Sequence, residues 1–141
     1  MIYASTSMIV NVSASGLWQR LEDFIKSLNQ GKYISQCSIL ENYYDGFMRV
    51  CSMEKDGDVK ERVFLLKDQN KIIIRLEDHP LFIGDMIYQI VASDQEQLFD
   101  RRSTLCLVLS WRMRPGVIEA PHTNKQYIIE DLIESIAAEF I

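Results

Sequence analysis

The hydrophobic pattern of this chain changes period twice, and that order limits the available folds more than any single motif does. A short run of β-formers over Ile2–Val10 gives way to a helical period over Ser13–Asn29. Strand-like runs then fill Ser35–Met113, and a second helical period closes the chain over Asn124–Phe140. A sheet built from so many consecutive strands must bury one face, and the helices are what can cover it. The expected fold class is α+β: one domain over residues 1–141, in which about seven strands form a curved antiparallel sheet. A long C-terminal helix is expected to pack across its concave face.

In the first helical stretch Leu17, Leu21, Phe24, Ile25 and Leu28 share one face, with Trp18 at its edge; Asn11 and Ser13 offer capping oxygens, and Gly31 offers a stop. A short second helical turn near Lys32–Ser35 is a weaker feature of the pattern. Asn42-Tyr43-Tyr44-Asp45-Gly46 and Lys55-Asp56-Gly57-Asp58 supply hairpin turns between Cys37–Glu41, Phe47–Met53 and Val59–Leu66. Asp68-Gln69-Asn70 turns into Lys71–Leu76, and the last strands are Phe82–Ala92 and Ser103–Met113. The final strand alternates cleanly: Leu105, Leu107, Leu109, Trp111 and Met113 point one way, with Thr104, Cys106, Val108, Ser110 and Arg112 opposite. The terminal helix carries Ile129, Leu132, Ile133, Ile136 and Phe140 on one stripe.

A net charge of −5 and a pI near 5.0 argue against a nucleic-acid surface. No apolar run approaches the ~20 residues that a transmembrane helix needs, so no membrane insertion is expected, and the N-terminus lacks the basic region of a signal peptide. Cys37, Cys51 and Cys106 are odd in number, widely spaced and placed in strand-like runs. They read as small buried hydrophobes in a reducing cytoplasm rather than as a disulfide framework. Two isolated histidines, His79 and His122, give no metal site, and Asp78-His79-Pro80 reads as a turn. No nucleophile elbow, phosphate loop or dinucleotide fingerprint is present, so no cofactor is expected and no catalytic residue is assigned.

The opening strand, the "VSASGLW" lead into the first helix, then "CSILE", "DGFMRV", "VKERVFLLKDQNKIIIRL" and the late "LVLSWRM" resemble the START-like (SRPBCC, helix-grip) superfamily, and within it the small AtaL-like group. The resemblance spans nearly the whole chain. It implies a terminal helix gripping a curved sheet around a hydrophobic pocket, with lipids, sterols or polyketide intermediates as ligands. Members also act as cyclases and aromatases, but the superfamily shares no catalytic motif to carry across.

Arg49 and Lys60-Glu61-Arg62 are the charges that lie inside strand patterns. Either Glu61 or Arg62, the latter with Phe64, faces the core, and alternation leaves both open. An inward Glu61 would have its proton affinity raised and could act as a base, and an inward Arg49 could pair with it or bind a ligand. A cross-strand pair on the wet face is the plainer reading. Residues expected to touch a ligand are Arg49, Glu61, Phe64, Tyr88, Leu107, Leu109, Trp111, Leu132 and Ile136. The expected function is binding of a small hydrophobic or amphipathic molecule between sheet and terminal helix. The alternative is a cyclase or aromatase using a buried acid or base, and a homodimer through the outer sheet face is a third reading.

Overall fold

The computed structural model describes residues 2–27, 31–54, 57–92, 102–116 and 126–138. Its seven strands are β1 (Ile2–Val10), β2 (Ile34–Tyr43), β3 (Gly46–Met53), β4 (Gly57–Leu66), β5 (Lys71–Leu76), β6 (Phe82–Ala92) and β7 (Ser103–Met113). They form one antiparallel sheet in the order β1-β7-β6-β5-β4-β3-β2, so β1 and β2 are its edges. Every neighbouring pair other than β1 with β7 is consecutive in sequence, as a chain of hairpins requires. Helices α1 (Ala14–Lys26) and α2 (Gln126–Ala137) cover the concave face: α2 lies over β1 and β7, and α1 over β6. The sheet, its strand number and the helical cover agree with the sequence pattern.

The inner face is set by alternation. Leu105, Leu107, Leu109 and Trp111 of β7 are buried, as are Met86, Tyr88 and Ile90 of β6 and Ile72 and Ile74 of β5. Above them lie Leu17, Leu21 and Ile25 of α1 and Ile129, Leu132 and Ile136 of α2. Each fully buried aliphatic side chain contributes roughly 1.5–3 kcal/mol of transfer free energy, which makes this layer the main source of stability.

Three local expectations change. Helix α1 ends at Lys26, not at Asn29, because Ser27 takes an extended conformation and turns both its N–H (3.1 Å) and its hydroxyl (2.6 Å) back onto the Phe24 carbonyl. Leu28, Asn29 and Gln30 lie outside the described residues. No helical turn forms at Lys32–Ser35; β2 starts at Ile34, and the Lys32 N–H is taken by Asp131 of α2 at 2.8 Å. The terminal helix is described over Gln126–Ala137, and Asn124 and Phe140, the ends of its pattern, lie outside the described residues. Finally, Cys37 and Cys51 are joined by a disulfide across β2 and β3, their Cα atoms 4.0 Å apart, and only Cys106 remains a thiol. The reading of all three as unpaired hydrophobes overlooked that the hairpin folds Cys37 back against Cys51, helped by irregular pairing between Ser35 and Ser38 and a left-handed Gln36 (φ 50°).

Gly31 has φ +104°, and a Cβ there would run into the Asp131 carboxylate and the Ser135 hydroxyl. Glycine therefore lets the α1–β2 connection sit directly against α2.

Candidate functional site

Strand β3 points Phe47, Arg49, Cys51 and Met53 to the inner face, and β4 answers with Val59, Glu61 and Val63. Register places Arg49 opposite Glu61. Both are 1% exposed, so of the two readings the sequence left open the inward pair holds and the plainer wet-face pair does not. Arg49 Nε donates to Glu61 Oε1 at 2.9 Å. Nη2 lies equally close to that oxygen, at 2.9 Å, as an ionic contact without an aligned hydrogen bond. Nη1 donates to the Ile25 carbonyl at 2.8 Å, in the last turn of α1, where carbonyls lack helical partners and carry negative partial charge. The guanidinium thus ties α1 to the sheet from beneath, a role for Ile25 that no sequence signal announced.

Tyr88 is a third buried ionisable group on the inner face, two rows along the sheet from the pair. It is fully buried, sits opposite Ile72 on β5 and Leu107 on β7, and feels the charges of Arg49 and Glu61. Burial pushes its phenol well above the usual range; Arg49 pulls it back and Glu61 pushes it further up. The hydroxyl therefore keeps its proton and is a donor at any physiological pH. Among the described residues it makes no hydrogen bond.

The other residues expected at the site divide. Leu107 and Leu109 are buried beside Tyr88 and Met86 in register. Leu132 and Ile136 of α2 are buried over the β1–β7 side. Trp111 is buried in an aromatic cluster with His79 and Phe82, ring centroids 5.6 Å from each, and lies close over Gly84, where a Cβ would strike it. His79 is the turn residue expected, yet buried: its Nδ1 accepts from the N–H groups of Leu81 and Phe82 at 3.1 and 3.2 Å. Phe64 does not join the site. Alternation sends it to the outer face, where the Arg62 and Arg75 guanidinium groups stack on its ring at 4.3 and 5.5 Å.

A cavity of about 320 Å³ opens between α1 and the β2–β3 turn, with Trp18, Lys26, Tyr43, Phe47 and Leu65 among its lining. Sequence reasoning looked for open space under the terminal helix and missed this one. Phe47 is two residues from Arg49 on the same face, and Leu65 stands in the row Leu65–Ile72–Tyr88. Arg49, Glu61 and Tyr88 are not among the residues that line the opening, whose volume is within the range of small-molecule sites.

The fold is START-like. The structure is similar to a START superfamily protein from Mycobacterium smegmatis, with a TM-score of 0.74, 20% identity, and 98% of this chain and 96% of that one covered. It is also similar to the protein XoxI from Bacillus cereus, with a TM-score of 0.69, 14% identity and 99% and 96% covered. A third similar structure is the Zhui aromatase/cyclase from a Streptomyces species, with a TM-score of 0.67, 16% identity and 96% and 86% covered. No family model and no curated protein matches the chain.

Proposed function

We propose that the protein binds a small hydrophobic or amphipathic molecule, lipid-like or polyketide-like, on the concave face of the sheet, with the molecule's polar end at Arg49, Glu61 and Tyr88. The observation that carries this reading is the Tyr88 hydroxyl, buried without a hydrogen bond on the same largely apolar face that holds the buried Arg49–Glu61 pair. A buried donor left without a partner costs about 1–3 kcal/mol, a cost that a ligand oxygen would offset. Leu107, Leu109, Trp111, Leu132 and Ile136 supply the apolar wall in this reading, and the opening at Phe47 and Leu65 the approach. Native mass spectrometry of the purified protein, with solvent extraction of whatever it carries, tests it. A protein that carries no extra mass and gives no response to any hydrophobic fluorophore would overturn it.

Two observations favour a cyclase or aromatase reading: the likeness to the Zhui aromatase/cyclase, and three ionisable groups buried on one face of the sheet. The chemistry weighs against it. Tyr88 holds its proton too tightly to be a ready acid, and Glu61 spends Oε1 on two nitrogens of Arg49. Placement in the AtaL-like group rests on the sequence pattern alone. Among the described residues no helix is long and apolar enough to cross a membrane. The proposal sets the protein in the cytoplasm, where the thiol pool would compete with the Cys37–Cys51 bond. A homodimer through the outer sheet face has less in its favour: exposed Tyr3 and Ile9 lie on one edge strand and Ile39 and Leu40 on the other, with Arg62, Arg75 and Asp85 between.

A further inference from the structure

We propose that the outer edge of β1 is a self-recognition surface, on which a second copy of this chain docks its own β1 antiparallel and joins the two sheets into one. This goes beyond the binding reading and does not depend on it. The two edges of the sheet are unlike. β2 is blunted as edge strands usually are: its register slips between Ser35 and Ser38 and again between Ile39 and Glu41, Gln36 is left-handed, and Glu41 puts a charge on the exposed stretch. β1 has none of these protections. It runs nine residues, Ile2–Val10, pairs with β7 without a register shift, and contains no charged residue, proline or glycine. Among the described residues β7 is its only strand neighbour. Tyr3 and Ile9 are 65% and 69% exposed, and Ser5 and Ser7 are exposed between them. Thr6 and Met8, on the inner side, stay half-exposed, so α2 does not close over the edge. A regular strand left this way turns every second N–H and C=O outward, a template for another strand.

The strand's own sequence identifies the occupant. A two-fold axis through Thr6 sets Thr6 against its copy, Ser5 against Ser7, Ala4 against Met8, Tyr3 against Ile9 and Ile2 against Val10. In that register every apolar side chain meets an apolar one and every hydroxyl meets a hydroxyl. An axis through Ser5 would set Tyr3 on Ser7, and one through Ser7 would set Ile9 on Ser5, so the match belongs to Thr6 alone. Opposed residues of an antiparallel pair share a face, so both concave faces open to the same side. Charge agrees: each copy carries a net charge of −5, and an uncharged strand is an approach that opposes no like charges across the junction. The area sets the strength. An edge of this length is about 30 Å long and ~10 Å thick, so the pairing buries roughly 600 Å² in all, under the about 1,200 Å² of stable complexes. Its about eight to ten backbone hydrogen bonds match a full interface. The dimer is therefore a weak, concentration-dependent one.

The test is sedimentation equilibrium of the wild-type protein from ~5 μM to ~1 mM, with amide hydrogen exchange read at both ends of that range. The expected result is a reversible monomer–dimer equilibrium with a Kd on the order of 100 μM. Alternate amides of β1 should exchange more slowly at the high concentration, with β2 unchanged. The double variant Ser5→Lys/Ser7→Lys sets lysine opposite lysine at two pairs and should weaken association about tenfold or more. Ile39→Lys, on the other edge, should leave it within about twofold. Thermal melts confirm that both variants are folded; if the lysine pair unfolds the chain, the exchange measurement on the wild type decides alone. A monomer throughout the range, or a dimer that leaves β1 exchange unmoved, would overturn the inference. So would a dimer that the β1 lysines keep and Ile39→Lys abolishes.

Discussion

Breaking the Arg49–Glu61 pair one side at a time should be far more damaging than removing it whole. Arg49→Met leaves a carboxylate that is 1% exposed facing Met in place of a guanidinium, and Glu61→Leu leaves a guanidinium with the Ile25 carbonyl as its remaining bonded acceptor. An uncompensated buried charge costs about 3–5 kcal/mol. At an unfolding entropy of roughly 2.1 cal/mol/K per residue, a chain of this length loses about 3 °C of Tm per kcal/mol, so each single variant should melt ~10–15 °C lower. The double variant replaces the pair with side chains of similar bulk. It forfeits one bond to the helix end and should lie within about 1–2 kcal/mol of the wild type. The assay is a double-mutant cycle by urea denaturation, followed by circular dichroism, with m-values checked for constancy. Two single variants that each cost under about 1 kcal/mol and simply add would mean that the pair is solvated. That outcome would refute the buried polar cluster and the site built on it.

Other outcomes follow from the same geometry. Tyr88→Phe removes a hydroxyl that no protein group satisfies, so the ligand-free protein should gain about 1–2 kcal/mol, or ~3–6 °C, in a calorimetric melt; a loss of stability would show that the hydroxyl has a partner. The raised phenol also sets a sign. Its stabilising protonated state is complete below the unfolded tyrosine value near 10 and is lost as pH rises toward the folded one, so wild-type stability should fall by up to ~1.4 kcal/mol per pH unit above about pH 10, relative to Tyr88→Phe. Gly31→Ala places a Cβ against Asp131 at a left-handed position and should cost about 1–3 kcal/mol in chemical denaturation; a neutral result would mean that the connection does not rest on α2. Reduction of the Cys37–Cys51 bond, which spans a sequence separation of 14, should lower Tm by roughly 9–10 °C, since closing a loop of that size is worth about 3 kcal/mol. Thiol titration of the unfolded, unreduced protein should find one thiol, and finding all three free would refute the bond.

The fold was legible because its layers depend on period, and period is local. The β7 alternation from Leu105 to Trp111 and the stripe Leu17–Leu21–Ile25 could be read directly, and both faces proved to be core. The site was only partly legible, for a physical reason. In β3 both faces carry apolar residues, Phe47, Cys51 and Met53 on one and Met48 and Val50 on the other, so alternation could not say which way Arg49 points. The same ambiguity in β4 put Phe64 and Glu61 on one list, although adjacent parity forbids their sharing a face. What settled Arg49 is a tertiary partner, the end of α1, and no pattern within β3 encodes that. The disulfide was missed for a similar reason: spacing alone does not show that a hairpin brings residue 37 to residue 51.

The pairing of β1 with β7 also bears on how the chain reaches this state. The first strand finds its one strand partner roughly a hundred residues later, at Ser103–Met113, and α2 then lies across both. Translation at ~5–20 residues per second would leave β1 waiting several seconds on the ribosome before β7 exists. During that interval the hairpins from β2 to β6 can zip up locally, with β6 as an open edge. Completion of the sheet is thus a late, long-range event. Folding should be slow for a chain of this size, and ribosome-stalled fragments ending before Ser103 should show hairpin protection without protection of β1.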